Sequence, residues 1–590
     1  MLTWDSLPVN KMVDLFYEPI VTFGNTWMKH LIRIWNLRIS YLYEDILLWD
    51  DDATGAFRQI KNHPDIAMAL AFIIAQTLYC PTGQTFGFKP SPANWEPVRR
   101  AREELAQSLF EDSSLIAKHD NYLSQVKYCA EPDVDTEFVQ AVRDKLNQGV
   151  LDENGRHRPT EHNMYVDDNL IAEVKKFMPN AQATSIEALF ILLSRPEPEF
   201  RRVAVCMKKF LRAQCSYRKE QLGIMINTRQ MIVYLPDSRV AKMIVAISHF
   251  HKGRRSFQAL EAAALLGALQ NMAQCAQWAK FLFFTLQHSV TVALSKNKKE
   301  LIKSSRKFAK LTEIANREQV TVEDTKKANF ATGKLAKMVW HSDTESYIIP
   351  TMAKELALIT HILKHPQLYR WEAPIAHLVP RTPDFLSWGD SSLTAAGGFS
   401  TDLKFWWFLE WPAEIQSRNI KVSKKNRTGE IISINVLEYA TAIITYAAAT
   451  VAFAEMKAKK ETTLTHPVLL NRIDNTSADT WTMKACTSSV QAKALARILS
   501  SIMINNPIGL NSEHLAGVLN IIADKLSRDL KTNTESFDFA KLQQEHPELR
   551  NCRRFHPSVE LLSALSNAVL SNSITPLLEP PQLGLLDRAR

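Results

Sequence analysis

Asp167 and Asp168 stand side by side between Tyr165-Val166 and Asn169-Leu170. Far upstream, Asp50, Asp51 and Asp52 run into Ala53-Thr54-Gly55-Ala56-Phe57. Carboxylates drawn from two distant stretches can converge on divalent cations. A pair of cations held this way steadies both the attacking and the leaving oxygen of a phosphoryl transfer. A second set of acids is spread over the last third of the chain. Asp390 follows Leu386-Ser387-Trp388-Gly389, and Glu438 follows Asn435-Val436-Leu437. Asp474 follows Leu469-Leu470-Asn471-Arg472-Ile473, and Asp524 lies within Asn520-Ile521-Ile522-Ala523-Asp524-Lys525-Leu526-Ser527-Arg528. Taken singly, each acid reads as a turn residue, a helix cap or a surface charge, because Asp and Asn favour such places.

The elements that must position these acids can be read from pattern. Met164 to Leu170 reads as a tight turn between two short strands, with Asp167 and Asp168 at its tip. Ile46-Leu47-Leu48-Trp49 reads as a buried strand that carries Asp52 at its end. Trp27 to Trp35 has apolar residues at helical spacing, and His63 to Tyr79 and Trp95 to Phe110 read as further helices. Residues 111–162 are polar and irregular and read as a surface excursion. Ile186 to Leu193 is apolar and helical; Val203 to Ala213 follows, carrying Lys208, Lys209 and Arg212. Leu222 to Ile226 and Met231 to Pro236 predict a hairpin around Asn227-Thr228-Arg229-Gln230. Phe257 to Val292 reads as helical with Gly267 its only breaker. Between Lys296 and Lys337 twelve Lys and Arg face five acids, which suits either a nucleic-acid backbone or a solvated helix.

Pro380 to Pro383 marks a boundary. Beyond it, Leu386 to Asp390 reads as a strand, and Gly397-Gly398-Phe399 with Phe405-Trp406-Trp407-Phe408 as an antiparallel pair. The two tryptophans read as core. Glu438 is expected in the first turn of a long Ala-rich helix, and Leu469 to Ile473 as a strand ending in Asp474-Asn475. Each acid of this set falls where a strand ends or a helix begins, where an α/β sheet places its site. Leu561 to Leu565 and Leu577 to Leu583 read as short docking helices.

Composition sets bounds. At 590 residues the chain calls for three or four domains. Apolar residues make up 46% and charged residues 23%, as in ordinary globular proteins, and the net charge of +9 suits a polyanionic partner. The seven cysteines form no C-x-x-C pair, which argues against a disulfide framework or zinc site and for a reducing compartment. No signal peptide is evident. The apolar run Tyr439 to Ala454 is short for a membrane span and is flanked by Glu438 and Glu455, so it reads as a buried helix.

Tyr165-Val166-Asp167-Asp168 resembles the catalytic turn of reverse transcriptases. Asp52-Ala53-Thr54-Gly55-Ala56-Phe57 resembles their first catalytic motif. Thr85-Phe86-Gly87-Phe88, with Ser91-Pro92 after it, resembles the Phe-Gly…Pro motif of gypsy and DIRS-type retrotransposon enzymes. The three occur in the family's order. Leu222-Gly223 resembles the hairpin with which family members grip the primer end. Asp390, Glu438, Asp474 and Asp524 resemble the Asp-Glu-Asp-Asp site of ribonuclease H. The ending N-x-x-A-D-x-L-S-R resembles the ribonuclease-H-like domain of DIRS-type and related elements, and His514 stands where such nucleases often carry a mobile His that aids product release. The resemblance covers roughly residues 20–240 and 385–530. Complete family members carry a basic fingers region before the first Asp. Here only 51 residues precede Asp52, and Arg33 and Arg38 match no motif.

The resemblance implies an α+β and α/β multidomain fold: a right-hand, ferredoxin-like polymerase palm with truncated fingers over residues 1–245, a basic helical thumb or connection over 246–380, a ribonuclease-H-like α/β domain over 381–535 and a tail over 536–590. It implies an RNA-directed DNA polymerase with ribonuclease H activity from a eukaryotic retrotransposon. The alternative is an impaired or domesticated fragment that binds nucleic acid without polymerising. Asp52, Asp167 and Asp168 would hold two Mg²⁺, as would Asp390, Glu438, Asp474 and Asp524, with Mn²⁺ as a substitute. One polymerase metal would activate the primer hydroxyl and the other would neutralise the leaving pyrophosphate. Phe57 would block a ribose 2′-hydroxyl, Arg58 could meet phosphate, and Phe86, Gly87, Tyr165, Leu222 and Gly223 would line the substrate. The partners implied are an RNA template, a DNA primer, an RNA–DNA hybrid and deoxynucleoside triphosphates, without a membrane, in the cytoplasm or nucleus.

Overall fold

The structure, a computed structural model, describes residues 3–4, 7–8, 21–85, 90–112, 119–128, 162–195, 203–210, 214–251, 254, 256–291, 345–347, 350–418, 432–485, 487, 489–504, 506–528, 539–570 and 579–587. Phe86, Gly87, the basic stretch 296–337 and most of 111–162 lie outside the described residues. Among the described residues the chain is a mixed α/β protein with three sheets of three or more strands.

The first sheet is small and antiparallel. Helix α1 (Thr26–Ser40) leads to strand β1 (Ile46–Asp52), and α2 (Ser91–Glu111) precedes the hairpin of β2 (Asn163–Tyr165) and β3 (Asp168–Val174). Helix α3 (Met178–Leu193) follows. β3 lies between β1 and β2. Side chains alternate across a strand. Ile46 and Leu48, with Ala172 and Val174, therefore enter one large core with Leu31, Ile34 and Leu37 of α1. Leu47, Trp49 and Ile171 face a second core with Trp95 of α2 and Ile186 of α3. The same alternation separates the three acids at the end of β1.

The second sheet is an antiparallel run of β4 (Arg218–Gln221), β5 (Ile224–Asn227), β6 (Ile232–Tyr234) and a later strand, β7 (Glu372–Pro374). The β5–β6 hairpin is the one expected around Asn227 to Gln230. Leu222-Gly223 forms the turn between β4 and β5, with φ of +50° and +77°. Between β6 and β7 the chain forms α4 (Asp237–His251), α5 (Ala259–Met272) and α6 (Pro350–Lys364).

The third sheet has seven strands. β8 (Phe385–Ser391), β9 (Ala395–Ser400) and β10 (Phe405–Glu410) form an antiparallel meander. After the 25-residue helix α7 (Ile434–Ala458), β11 (Val468–Ile473) returns parallel to β8 on its other side. Helices α8 (Thr476–Lys484) and α9 (Val490–Met503) then lead to β12 (Gly509–His514), parallel to β11, and to α10 (Ile521–Arg528). β13 (Arg553–Pro557) extends the sheet beyond β10. Helix α11 (Val559–Leu570) and β14 (Gly584–Leu586) complete it. A Cβ at Gly397 would strike Leu526 of α10, and one at Gly398 would strike Thr445 of α7. Adjacent residues of β9 thus admit a helix on each face. Helix α7 is buried over 89% of its apolar stretch, and Trp406 and Trp407 are buried too.

Several expectations are corrected. His63 to Tyr79 is not one helix. A short helix, Pro64–Ala69, gives way to a hairpin of Phe72–Ile74 and Thr77–Tyr79, turning at Ala75 and Gln76 with φ of +46° and +63°. The run Phe72-Ile73-Ile74 favours an extended backbone over a helix. The helix expected over Phe257 to Val292 starts only at Ala259. It keeps Gly267 inside α5 and breaks after Met272 into 3₁₀ turns at Ala273–Cys275 and Gln277–Leu282. Val203 to Ala213 contains only the short helix Met207–Phe210, and residues 211–213 lie outside the described residues. Glu438 is the fifth residue of α7 rather than in its first turn. Near the C-terminus, Leu561 to Leu565 is helical within α11. Leu583 precedes strand β14 rather than ending a helix, while residues 571–578 lie outside the described residues.

Candidate active sites

The register of the first sheet builds the first site. Asp52 of β1 pairs directly with Asp168 of β3, and such antiparallel partners have Cα atoms about 4.5–5.5 Å apart. Asp167 occupies the two-residue turn before Asp168, beside Val166 at φ +58°. A β-branched residue in the left-handed region is strained, so the turn needs restraint. The Trp95 indole donates to the Val166 carbonyl at 2.7 Å. Thr26 Oγ1 donates to the Met164 carbonyl at 2.7 Å, and the Met164 amide donates to Glu103 at 2.8 Å. Helices α1 and α2 thus clamp the hairpin that carries the acids.

The three acids of β1 have three fates. Asp51 is buried on the α2–α3 side, paired with Arg102 at 2.6 Å and bonded by the Ser185 hydroxyl. Asp50 pairs with Lys219 at 2.8 Å. Asp52 faces Asp168, and the Lys209 ammonium lies between them, 2.8 Å from Asp52 and 3.0 Å from Asp168. Lys209 was among the basic residues noted in the sequence, but nothing there tied it to the acids. Its placement follows from the Cys206 amide donating to the Asp52 carbonyl at 2.8 Å and from Phe210 packing edge-on to Trp49. Burial, then Asp167 and Asp168, push the Asp52 carboxyl up to about 6 against the pull of Lys209. Burial and Asp168 raise Asp167. Burial works against the Lys209 charge, but its bonds to Asp52 and Asp168 outweigh it and raise its pKa.

The remaining candidates of this half are placed as follows. Phe57 is buried in the second core, and Tyr165 is exposed on the hairpin. Arg58 is exposed and has no ion pair among the described residues. Leu222 and Gly223 lie at the β4–β5 turn, where Arg239 donates to the Leu222 carbonyl at 3.2 Å. Arg33 and Arg38 are not free for a ligand. Arg33 pairs with buried Glu173 at 2.7 Å. Arg38 donates to the carbonyls of Tyr41, Leu42, Glu44 and Thr228 at 2.9–3.3 Å.

The second site lies at the carboxyl ends of β8 and β11, adjacent parallel strands on whose two sides the chain runs in opposite directions. That is where an α/β sheet leaves a crevice. Carboxylate oxygens of Asp390, Glu438 and Asp474 lie within 4.8 Å of one another. Asp390 and Glu438 are buried, and Glu438 Oε2 has no hydrogen-bond partner. Burial, then Asp474 and Asp524, raise Asp390 to about 6 despite the Ser527 hydroxyl. Burial, then Asp390 and Asp474, hold Glu438 well above the usual range. Asp474 is raised by burial and by Asp524.

Asp524 stands at the fourth position of α10 and accepts from Arg528 at 2.8 Å. The Asn520 side chain donates to the Gly389 carbonyl at 3.0 Å, Leu526 packs against Gly397, and the Ser527 hydroxyl donates to Asp390. Nearly every distinctive residue of that motif thus has a structural task. Ser527 and Arg528 were quoted in the motif without a role, and contact with the acids gives them one. His514 ends β12 in register with Ile473 and is exposed.

No protein-family model and no curated protein matches the chain. Among solved structures, the foamy viral protease–reverse transcriptase in complex with an RNA/DNA hybrid is similar at 10% identity and a TM-score of 0.25, over 86% of this chain and 47% of that one. The foamy viral protease–reverse transcriptase dRH with double-stranded DNA is similar at 12% identity and a TM-score of 0.27, over 87% of this chain and 62% of that one. The native Prototype Foamy Virus enzyme is similar at 12% identity and a TM-score of 0.19, over 86% and 47%. The chain thus spans less than two thirds of the length of each of these three.

Proposed function

We propose that the chain is an RNA-directed DNA polymerase with a ribonuclease-H-like nuclease domain, from a eukaryotic retrotransposon of the DIRS or gypsy-like kind. The observation that carries this reading is the register that sets Asp52 opposite Asp168 with Asp167 in the turn between them. The Asp390, Glu438 and Asp474 cluster supports the second activity.

Both sites fit Mg²⁺. Their donors are carboxylate oxygens, which suit a hard cation. Asp52 Oδ1 and Glu438 Oε2 are buried without partners, and crowded carboxylates stay ionised only beside positive charge. When bound, such a metal pair supplies Lewis acidity at the attacking and leaving oxygens. The chain's own groups do the rest. Trp95 and Glu103 hold the acid-bearing hairpin against α2. Lys209, released from Asp52 and Asp168, brings its charge to an incoming phosphate. In the second half Ser527 orients Asp390, and Arg528 holds Asp524. The substrates would be primer, template, deoxynucleoside triphosphates and, at the second site, the RNA of a hybrid.

A second reading is a retroelement fragment that binds nucleic acid without polymerising. One observation favours it: Arg33 and Arg38, the arginines upstream of Asp52 that the sequence offers for a triphosphate, are buried and engaged. Primer extension on an RNA template with Mg²⁺ separates the two. The first reading expects extension by the unmutated chain and a fall of at least about 10³-fold in Asp167→Asn/Asp168→Asn, since metal-borne charge stabilisation amounts to several kcal/mol. Template binding without extension establishes the second. Hybrid cleavage lost in Glu438→Gln, with extension kept, assigns the nuclease to its own cluster.

A further inference from the structure

Beside the second site lies a loop whose backbone is tied down and three of whose apolar side chains are exposed. Val518 is 83% exposed, Leu519 66% and Ile521 53%. The nine residues from Leu515 to Ala523, between His514 and Asp524, carry no charge. Slack in the chain does not explain this exposure. The Leu515 amide donates to the Ile473 carbonyl at 2.8 Å, one residue before Asp474. The Leu519 and Asn520 amides close a 3₁₀ turn onto Ala516 and Gly517 at 2.8 and 3.0 Å. Buried Asn520 donates to the Gly389 carbonyl, one residue before Asp390. A Cβ on Gly517 would lie 3.1 Å from Asp474 Oδ2. The loop is therefore moored at both ends to the strands that carry the acids, and it stands at their rim.

Apolar side chains fixed at the edge of a carboxylate cluster need an occupant that offers them an apolar face while it offers the cluster a phosphate. A nucleic-acid strand does both: sugar and base edges line its minor groove, and apolar protein side chains pack there. In a hybrid that groove is wide and shallow enough to admit them. An uncharged loop also adds no further repulsion to an anion already facing four acids. We propose that Val518 and Leu519 pack into the minor groove of the RNA–DNA hybrid beside the scissile phosphate, and so set where the RNA strand lies over Asp390, Glu438 and Asp474. The inference rests on the nuclease reading given above and adds the residues that seat its substrate.

The full chain with Mg²⁺ and a hybrid labelled on its RNA strand tests the proposal. Val518→Ser/Leu519→Ser should raise KM for hybrid cleavage about tenfold, equivalent to about 1.4 kcal/mol, with kcat within about twofold and an unchanged melting temperature. Val518→Ile/Leu519→Met should restore KM. An unchanged KM, or a loss confined to kcat, overturns the contact. A second measurement does not need cleavage. The chain with Val518→p-benzoylphenylalanine, irradiated with hybrid in Ca²⁺, should crosslink to nucleic acid. A crosslink without any cleavage by the unmutated chain would reject the nuclease reading and keep the contact. Cleavage without a crosslink, or a crosslink to a second protein only, would reject the contact and leave the nuclease standing.

Discussion

At the scale of single residues, both sites crowd carboxylates into poorly hydrated places. Burial and neighbouring acids raise Asp52 and Asp390 to about 6, and Asp167, Glu438 and Asp474 are raised too. An acid whose folded pKa exceeds its unfolded value stabilises the fold at low pH, and that stability is lost as pH rises through the folded value. Buried His30 and His162 act oppositely. They are lowered by burial to about 4 and about 3, and their contribution is lost as pH falls. The melting temperature of the metal-free chain therefore mixes two opposed trends, but the gain on adding Mg²⁺ does not. That gain should be several degrees at pH 7.5, because ligand at 10–100 times Kd adds about 1–3 kcal/mol and each kcal/mol shifts a domain by about 2–4 °C. It should shrink towards zero at pH 5, where Asp52 and Asp390 hold protons. Scanning calorimetry with and without Mg²⁺ at the two pH values reads the difference. Equal gains at both would argue against carboxylate ligation. The structure sets Asp52 opposite Asp168 and groups Asp390, Glu438 and Asp474, and these acids were picked out of the sequence by their resemblance to known motifs. Lys209 was not, because only the pairing of Cys206 with Asp52 shows which of two adjacent lysines turns inward.

At the scale of elements, strands were more legible than helices. β1, β5, β6, β8 and β11 carry short apolar runs bounded by acids or turns, and all lie where those runs predict. Long apolar stretches misled. Phe72-Ile73-Ile74 continues a helical spacing yet forms a strand, and α5 stops at Met272 although Ala and Leu continue. Spacing alone does not separate a helix from a turn followed by strands, because tertiary packing overrides local preference. The α2 helix shows what an element does for a site. Its Trp95 is the tether of a turn that Val166 strains. Trp95→Phe keeps the ring and removes the donor. The expected cost is about 1 kcal/mol of stability, against a loss of about ten- to a hundredfold in primer extension, since a carboxylate displaced by about 1 Å can cost that much. Hybrid cleavage should not change. A melting shift without any effect on extension would show that the tether serves folding alone.

At the scale of the whole molecule, the helices between β6 and β7 and the seven-stranded sheet share one continuous core. Buried Glu355 of α6 accepts from the Thr285 and Leu286 amides and from Arg497 of α9 at 3.0 Å, and Ser500 of α9 donates to the Trp278 carbonyl at 2.9 Å. Glu355→Ala leaves the Arg497 charge buried and unpaired, which should cost about 3–5 kcal/mol. In urea unfolding the α4–α6 helices and the seven-stranded sheet should then no longer unfold as one unit, and a loss below about 1 kcal/mol would sink the idea of a joint fold. Domain boundaries read from proline and composition gave no sign of this, because a joint made by partners far apart in sequence leaves no local pattern. The hairpin of Phe72–Ile74 and Thr77–Tyr79 is the opposite case. All six of its strand residues are exposed, and no charged residue occurs between Asp65 and Lys89. Among the described residues no further strand pairs with its edges, and those edges and its apolar faces invite the same hairpin of another copy. That patch should limit how far the protein can be concentrated, and added salt, finding no charge there to screen, should promote clouding; turbidity followed against salt concentration reads the effect.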